Sequence, residues 1–183
     1  MFMHKNFVGG LIAAALVAAC ATPDSNSSVT PTRGPNLGAS PTPAMLAAMD
    51  MSIPPSGAGL PVGSGSVAQG QKVYEAKCQT CHGLKGEGKP ADPLVGGIGS
   101  LGSGKPMRTV GSYWPYATTL FDYVRRAMPT NAPQSLSNDE VYAASAYVLF
   151  LNGIVAEAAV MNAQTLPQVK MPNRDGFIDY SRK

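Results

Sequence analysis

The stretch Cys78-Gln79-Thr80-Cys81-His82 constrains this chain more than any other. Two thiols with two residues between them, followed at once by an imidazole, form the attachment pattern of a covalently bound haem. The spacing follows from the chemistry. Each thiol adds across one vinyl group of the porphyrin, and the adjacent histidine is placed to ligate the iron from one face. Two thioether bonds hold the cofactor permanently, so a small domain carries it without a large apolar pocket. Two other readings compete. Half of a zinc site would require two further cysteine or histidine ligands, and the remaining ones, Cys20 and His4, lie in a segment that reads as a leader. A thioredoxin-like thiol pair would follow a βαβ pattern, which the sequence lacks. The motif therefore predicts one haem c, bonded to Cys78 and Cys81, with His82 as an axial ligand of the iron.

Residues 1–20 carry His4 and Lys5, then an apolar run from Phe7 to Ala19 interrupted by Gly9 and Gly10. A basic start, a short apolar core and small residues at the cut describe a secretory leader. The run is too short for a convincing membrane span. Its end, Val17-Ala18-Ala19-Cys20, resembles the lipobox of bacterial lipoproteins, in which the cysteine is lipidated and becomes the first mature residue. The alternative is ordinary cleavage after Ala19 or Ala21. The expectation is an exported protein on the periplasmic face, attached to a membrane through lipid on Cys20. Ala21 in place of aspartate points to the outer membrane. Export also suits a covalent haem, which is attached outside the cytoplasm.

Residues 21–62 are rich in Pro, Ser, Thr, Gly and Ala, with few large apolar side chains. Such a composition buries too little apolar surface to offset the entropy of ordering, and it reads as a flexible tether. Met45, Leu46, Met49 and Met51 fall at helix-like spacing, which allows a short helix or docking peptide, but the tether reading is preferred. One small domain is expected from residue 63 to 153, followed by a C-terminal extension, 154–183. The formal net charge of +3 gives no reason to expect nucleic-acid binding.

Within the domain, Val67, Gly70, Gln71, Tyr74 and Cys78 recur at helical spacing, predicting a helix from Ser66 to about Lys77 that delivers the motif at its end. Gly70 weakens a helix, which suggests close approach by another helix. After His82 come many glycines and several prolines, a loop able to run close to a flat cofactor. A second helix is expected from Tyr116 to Ala127, with Leu120, Phe121 and Val124 on its apolar side and Arg125 and Arg126 favourably placed against the helix dipole. It should stop at Met128, because Pro129 disfavours helical geometry there. Ser137-Asn138-Asp139-Glu140 reads as a capping box opening a third helix to about Leu151. That helix is apolar almost all round and should be buried.

His82 is the sole histidine of the mature domain, so the opposite ligand must come from another residue type, and methionine is the next candidate. Met51, Met107, Met128, Met161 and Met171 are available. Met128 opens a proline-containing loop between two helices and is preferred as the second iron ligand. Met171, also followed by proline, is its competitor.

The order helix, CxxCH, glycine loop, helix, Met-Pro, helix resembles class I cytochromes c across about Val67 to Gly153. The resemblance implies an all-α fold of three to four helices around one haem. It also implies a contact of Gly70 and Tyr74 on the first helix with Tyr147 on the last. Pro93-Leu94 matches the pair whose proline carbonyl accepts a hydrogen bond from the far nitrogen of the ligating histidine, which adds Pro93 to the haem-binding residues. A narrower resemblance includes the run Val110–Ala117, Met128-Pro129, Tyr147–Gly153 and Leu166–Phe177. These stretches resemble the cytochrome of bacterial sulfite and sulfur dehydrogenases.

That resemblance implies a periplasmic one-electron carrier. It would accept electrons from a donor dehydrogenase, molybdenum-dependent or related, acting on a sulfur compound, and pass them to an acceptor cytochrome or oxidase. Other functions stay open: a haem enzyme with a labile sixth ligand acting on peroxide or a thiol, a carrier for an unrelated dehydrogenase, or a structural subunit whose tail tethers a partner. The extension itself has two readings. It wraps its own domain, or it lies across a dehydrogenase subunit with Met171 and Phe177 as apolar anchors and Lys170, Arg174 and Asp175 as polar contacts.

Overall fold

The computed structural model describes residues 38–178. The leader, the lipobox at Cys20 and the first part of the tether lie outside the described residues.

The methionine-spaced stretch forms a helix, α1 (Pro43–Met49), instead of continuing the tether. The Thr42 hydroxyl caps it by accepting from Met45 N–H at 3.2 Å, and Pro43 takes the first position, where a missing N–H costs nothing. Met45, Leu46 and Met49 stay exposed.

The expected boundary at residue 62 moves towards the N-terminus, because the chain is already packed by Ile53. The Ile53 side chain is buried in the core, and its N–H donates to Asp122 Oδ1 at 3.0 Å. The Pro61 carbonyl accepts from Tyr142 Oη at 2.8 Å, and that of Val62 accepts from Asn138 Nδ2 at 3.3 Å. A proline-rich segment makes few backbone bonds of its own. Here its N–H and carbonyl groups are paired by side chains from distant helices.

Short β1 (Ser64–Ser66) leads into α2 (Val67–Lys77), whose start is the capping box of Ser66 and Gln69. The single turn α3 (Gln79–His82) follows, then the glycine loop and the short α4 (Val110–Tyr113), capped by Thr109. Helix α5 (Ala117–Ala127) ends at Met128. Helix α6 (Asn138–Leu151) opens with the predicted capping box, Ser137 and Glu140, and nine of its residues are buried. The three long helices thus fall within a residue of the sequence expectation.

Helix α2 crosses α6 where Gly70 meets Ala143. A Cβ on Gly70 would run into the Ala143 carbonyl and the Tyr147 side chain, so glycine at that position is a packing requirement that outweighs its helix penalty. One turn on, Tyr74 and Tyr147 pack with ring centroids 5.3 Å apart. Phe121 of α5 meets Tyr142 of α6 at 4.4 Å, joining the third long helix to the same core.

The architecture is helical, with two short strands among the described residues. Strand β2 (Val160–Asn162) pairs antiparallel with β1, Gly65 opposite Met161. This pairing brings the extension back onto its own domain. Leu166 is fully buried, and Met161 and Met171 are 5% and 3% exposed. Asn173 Nδ2 donates to the Tyr113 carbonyl at 2.7 Å. The Arg174 guanidinium lies 4.3 Å from the Tyr116 ring centroid, and Phe177 meets Tyr113 edge-on at 5.3 Å. The partner-docking reading therefore fails for Met171, which is a core residue of this chain. Periodicity gave no warning, because the segment buries single side chains from an irregular backbone.

Candidate haem-binding site

Cys78 is the joint between α2 and α3. Its N–H still closes the last turn of α2 on Tyr74 O at 2.9 Å, while its carbonyl accepts from Cys81 N at 3.1 Å and His82 N at 3.0 Å. Residues three and four apart in a helical turn share a face, so this turn presents both sulfurs and the imidazole together. Cys78 is half-buried against the core and Cys81 is exposed, and no disulfide joins them. Burial pushes the Cys78 thiol up to about 11, with Cys81 adding to the rise. A nucleophilic thiol needs the opposite shift, a depressed pKa, so burial works against Cys78 in that role.

The loop after the motif folds back on it. Gly88 N–H donates to His82 O at 2.8 Å, Ala91 N–H to Cys81 O at 2.9 Å, and Leu94 and Val95 N–H to Gly86 O at 2.8 and 3.1 Å. Between these tied points, the Asp92 carbonyl lies 3.0 Å from His82 Nδ1. A carbonyl can only accept, so Nδ1 is the donor, and in the neutral ring this leaves the Nε2 lone pair free. That is the tautomer a metal-ligating histidine requires.

The acceptor is one residue earlier than expected: it is Asp92, in place of Pro93. Ala91 and Leu94 are pinned on either side, and Asp92 is the residue of the intervening pair whose carbonyl reaches the ring. Pro93 acts on its neighbour instead, because its ring restricts Asp92 to extended backbone. The chemistry of a proline carbonyl and an aspartate carbonyl is the same, which is why sequence alone could not separate them.

Among the candidate sixth ligands, Met161 and Met171 are packed into the core. Met107 is exposed on the loop, its N–H donating to Ser100 Oγ at 3.0 Å and its carbonyl accepting from Ser112 Oγ at 2.6 Å. Met128 is half-buried at the C-cap of α5, its N–H on Val124 O at 3.1 Å. Two cysteines and one imidazole held through Nδ1 on a single turn fit haem c. Among the described residues no cluster of three or more His, Cys, Asp or Glu side chains offers a competing metal site.

Several residues of this site escaped the sequence reading. Asn152 and Thr109 bind the backbone of the glycine loop; Asn152 falls in the Tyr147–Gly153 stretch of the family resemblance, but with no role assigned to it, and Thr109 lies outside those stretches.

A helical fold closed by an α2–α6 crossing, with a CxxCH turn and a histidine held through Nδ1, defines a cytochrome c, and the chain belongs to that family. The cytochrome c family model matches residues 67–152. A chain in the crystal structure of the sulfane dehydrogenase SoxCD from Paracoccus pantotrophus is 41% identical to this one, with a TM-score of 0.74. The match covers 80% of this chain and 73% of that one. No curated protein gives a significant match. The cofactor is accordingly covalently bound haem c, and the protein is an electron-transfer cytochrome related to a sulfur dehydrogenase.

Proposed function

We propose that this chain is a one-electron carrier that accepts electrons from a dehydrogenase acting on a sulfur compound and passes them to a downstream cytochrome or oxidase. The observation that supports this reading is the extent of the likeness to SoxCD, which covers 80% of the chain at 41% identity and so includes more than the haem domain. Haem c, when bound, supplies the one-electron iron couple; the protein's part is attachment, ligation and positioning. Cys78 and Cys81 would form the thioethers, and His82 Nε2 and Met128 would hold the iron. The Asp92 carbonyl holds the His82 ring in its ligating tautomer. With both of these side chains on the iron, no coordination position would be left for substrate, and the domain would carry electrons without substrate chemistry of its own. A methionine ligand raises the potential, which suits an acceptor of dehydrogenase electrons. Export and a lipid on Cys20 would hold the domain at the periplasmic face of a membrane, by preference the outer one.

The test is direct reduction. Ferric holoprotein is mixed with a purified sulfur-compound dehydrogenase and its substrate, and the ferrous absorption is followed by stopped flow. Reduction faster than with a dehydrogenase of unrelated substrate class supports the pairing. Equal, slow rates with both would remove it while leaving the cytochrome assignment in place. Fractionation of the native host with and without Cys20→Ser tests the anchor: unchanged membrane association of the variant would exclude it.

A further inference from the structure

The carboxamide of Asn152, just past the end of α6, is 8% exposed and has every polar atom engaged. Its Nδ2 donates to the Leu94 carbonyl at 3.1 Å and to the Val148 carbonyl at 2.9 Å. Its Oδ1 accepts from Gly96 N–H at 3.3 Å. The carbonyl of Gly96 is held from the other direction by Thr109 Oγ1 at 2.6 Å. Gly111 lies flat against the carboxamide, and a Cβ there would collide with Oδ1. The side chain therefore has one pose.

We infer that Asn152 is a positioning residue for the histidine ligand: it clamps Leu94 and Gly96 so that the Asp92 carbonyl, two residues upstream of Leu94, stays on His82 Nδ1. The loop is gripped on both sides. Leu94 and Val95 donate to Gly86 O on the motif side, while Asn152 and Thr109 hold Leu94 and Gly96 on the helix side. Without the second grip, the Asp92-Pro93 corner is fixed from the motif side alone, by Ala91 N–H on Cys81 O before it and by Leu94 N–H on Gly86 O after it. Of the side chains of this size, only a carboxamide supplies donors and an acceptor together. Aspartate lacks the donors, and leucine lacks both. The last helix thereby sets the hydrogen bond that fixes the ligand's tautomer and basicity. This inference rests on His82 being the iron ligand.

The experiment follows the His82 Nδ1 proton in ferrous holoprotein labelled with 15N-histidine. Asn152→Leu should accelerate its exchange with solvent about tenfold, the equivalent of one lost hydrogen bond, and move its resonance upfield. Amides at the α2–α6 crossing should keep their protection. Leu149→Ala, a fully buried change on the same helix, controls for simple destabilisation and should accelerate the crossing amides and the Nδ1 proton alike. Asn152→Ser serves if Asn152→Leu gives no holoprotein. Unchanged exchange in the Asn152 variants overturns the inference, as does equal acceleration of Nδ1 and crossing amides in them. Loss of haem from both Asn152 variants while Leu149→Ala retains it assigns Asn152 to folding and also overturns it. Failure of the haem reading itself would show earlier, as wild-type protein without covalent haem.

Discussion

Ile53 N–H donates to the buried carboxylate of Asp122 at 3.0 Å, tying the end of the N-terminal segment to the middle of α5. Asp122 also pairs with Arg126 one turn further along the same helix, towards Met128. Asp122→Ala should strand the Ile53 amide and cost about 1–3 kcal/mol. Asp122→Asn, which keeps an oxygen acceptor, should cost less. Urea denaturation measures both, and limited proteolysis should cut residues 51–62 first in the alanine variant. Identical cleavage of wild type and Asp122→Ala would show that the segment is held without this bond.

Gly70→Ala tests the helix crossing. Propensity alone would stabilise α2 by about 1 kcal/mol, but the added methyl must push α6 away from the Ala143 carbonyl. Overpacking of this kind costs about 1–3 kcal/mol, so net destabilisation is expected in a denaturant melt. A neutral or stabilising result would mean that the crossing is looser than the structure has it.

Met128→Ala and Met171→Ala should separate ligation from packing. The first is expected to remove the weak far-red band of the ferric form and lower the potential, with little loss of fold stability. Met171→Ala empties a core position and should cost about 2–5 kcal/mol with the far-red band retained. The reverse pattern would move the ligand to Met171 and require the C-terminal segment to leave the core.

Deletion of Leu166 to Lys183 removes two side chains that are buried in the core, Leu166 and Met171, along with the Asn173 bond to Tyr113. The truncated chain should accumulate poorly and unfold at lower denaturant. A truncated holoprotein of wild-type stability would return the segment to a partner-docking role.

Alkaline stability reports on Tyr74. Its phenol donates to the Gly83 carbonyl at 2.8 Å, and burial, chiefly, pushes it up to about 12 from 10.0. A pKa raised in the folded state means stability fully present below pH 10 and lost as pH climbs through about 12. Tyr74→Phe should be less stable at neutral pH, through the lost hydrogen bond, yet decline less over that alkaline window. A parallel decline in both proteins would assign the effect to other groups.

The sequence by itself determined whatever is written in contiguous residues. Cys78, Cys81 and His82 specify the cofactor because thioether and ligand chemistry demand that spacing. Ser66/Gln69 and Ser137/Glu140 start α2 and α6, and Met128-Pro129 stops α5, because caps and proline act within a turn. Gly70 announced a close approach through its cost to the helix. Only the tertiary structure decided what depends on which backbone groups meet. It put the carbonyl of Asp92 in place of Pro93 on His82, since neighbouring carbonyls are chemically alike and differ only in direction. Ile53, Leu166 and Met171 joined the core although they sit in irregular segments, where no period marks a buried face. Asn152 became the clamp on the glycine loop, because a hydrogen bond between the last helix and a loop near the motif leaves no local pattern in either.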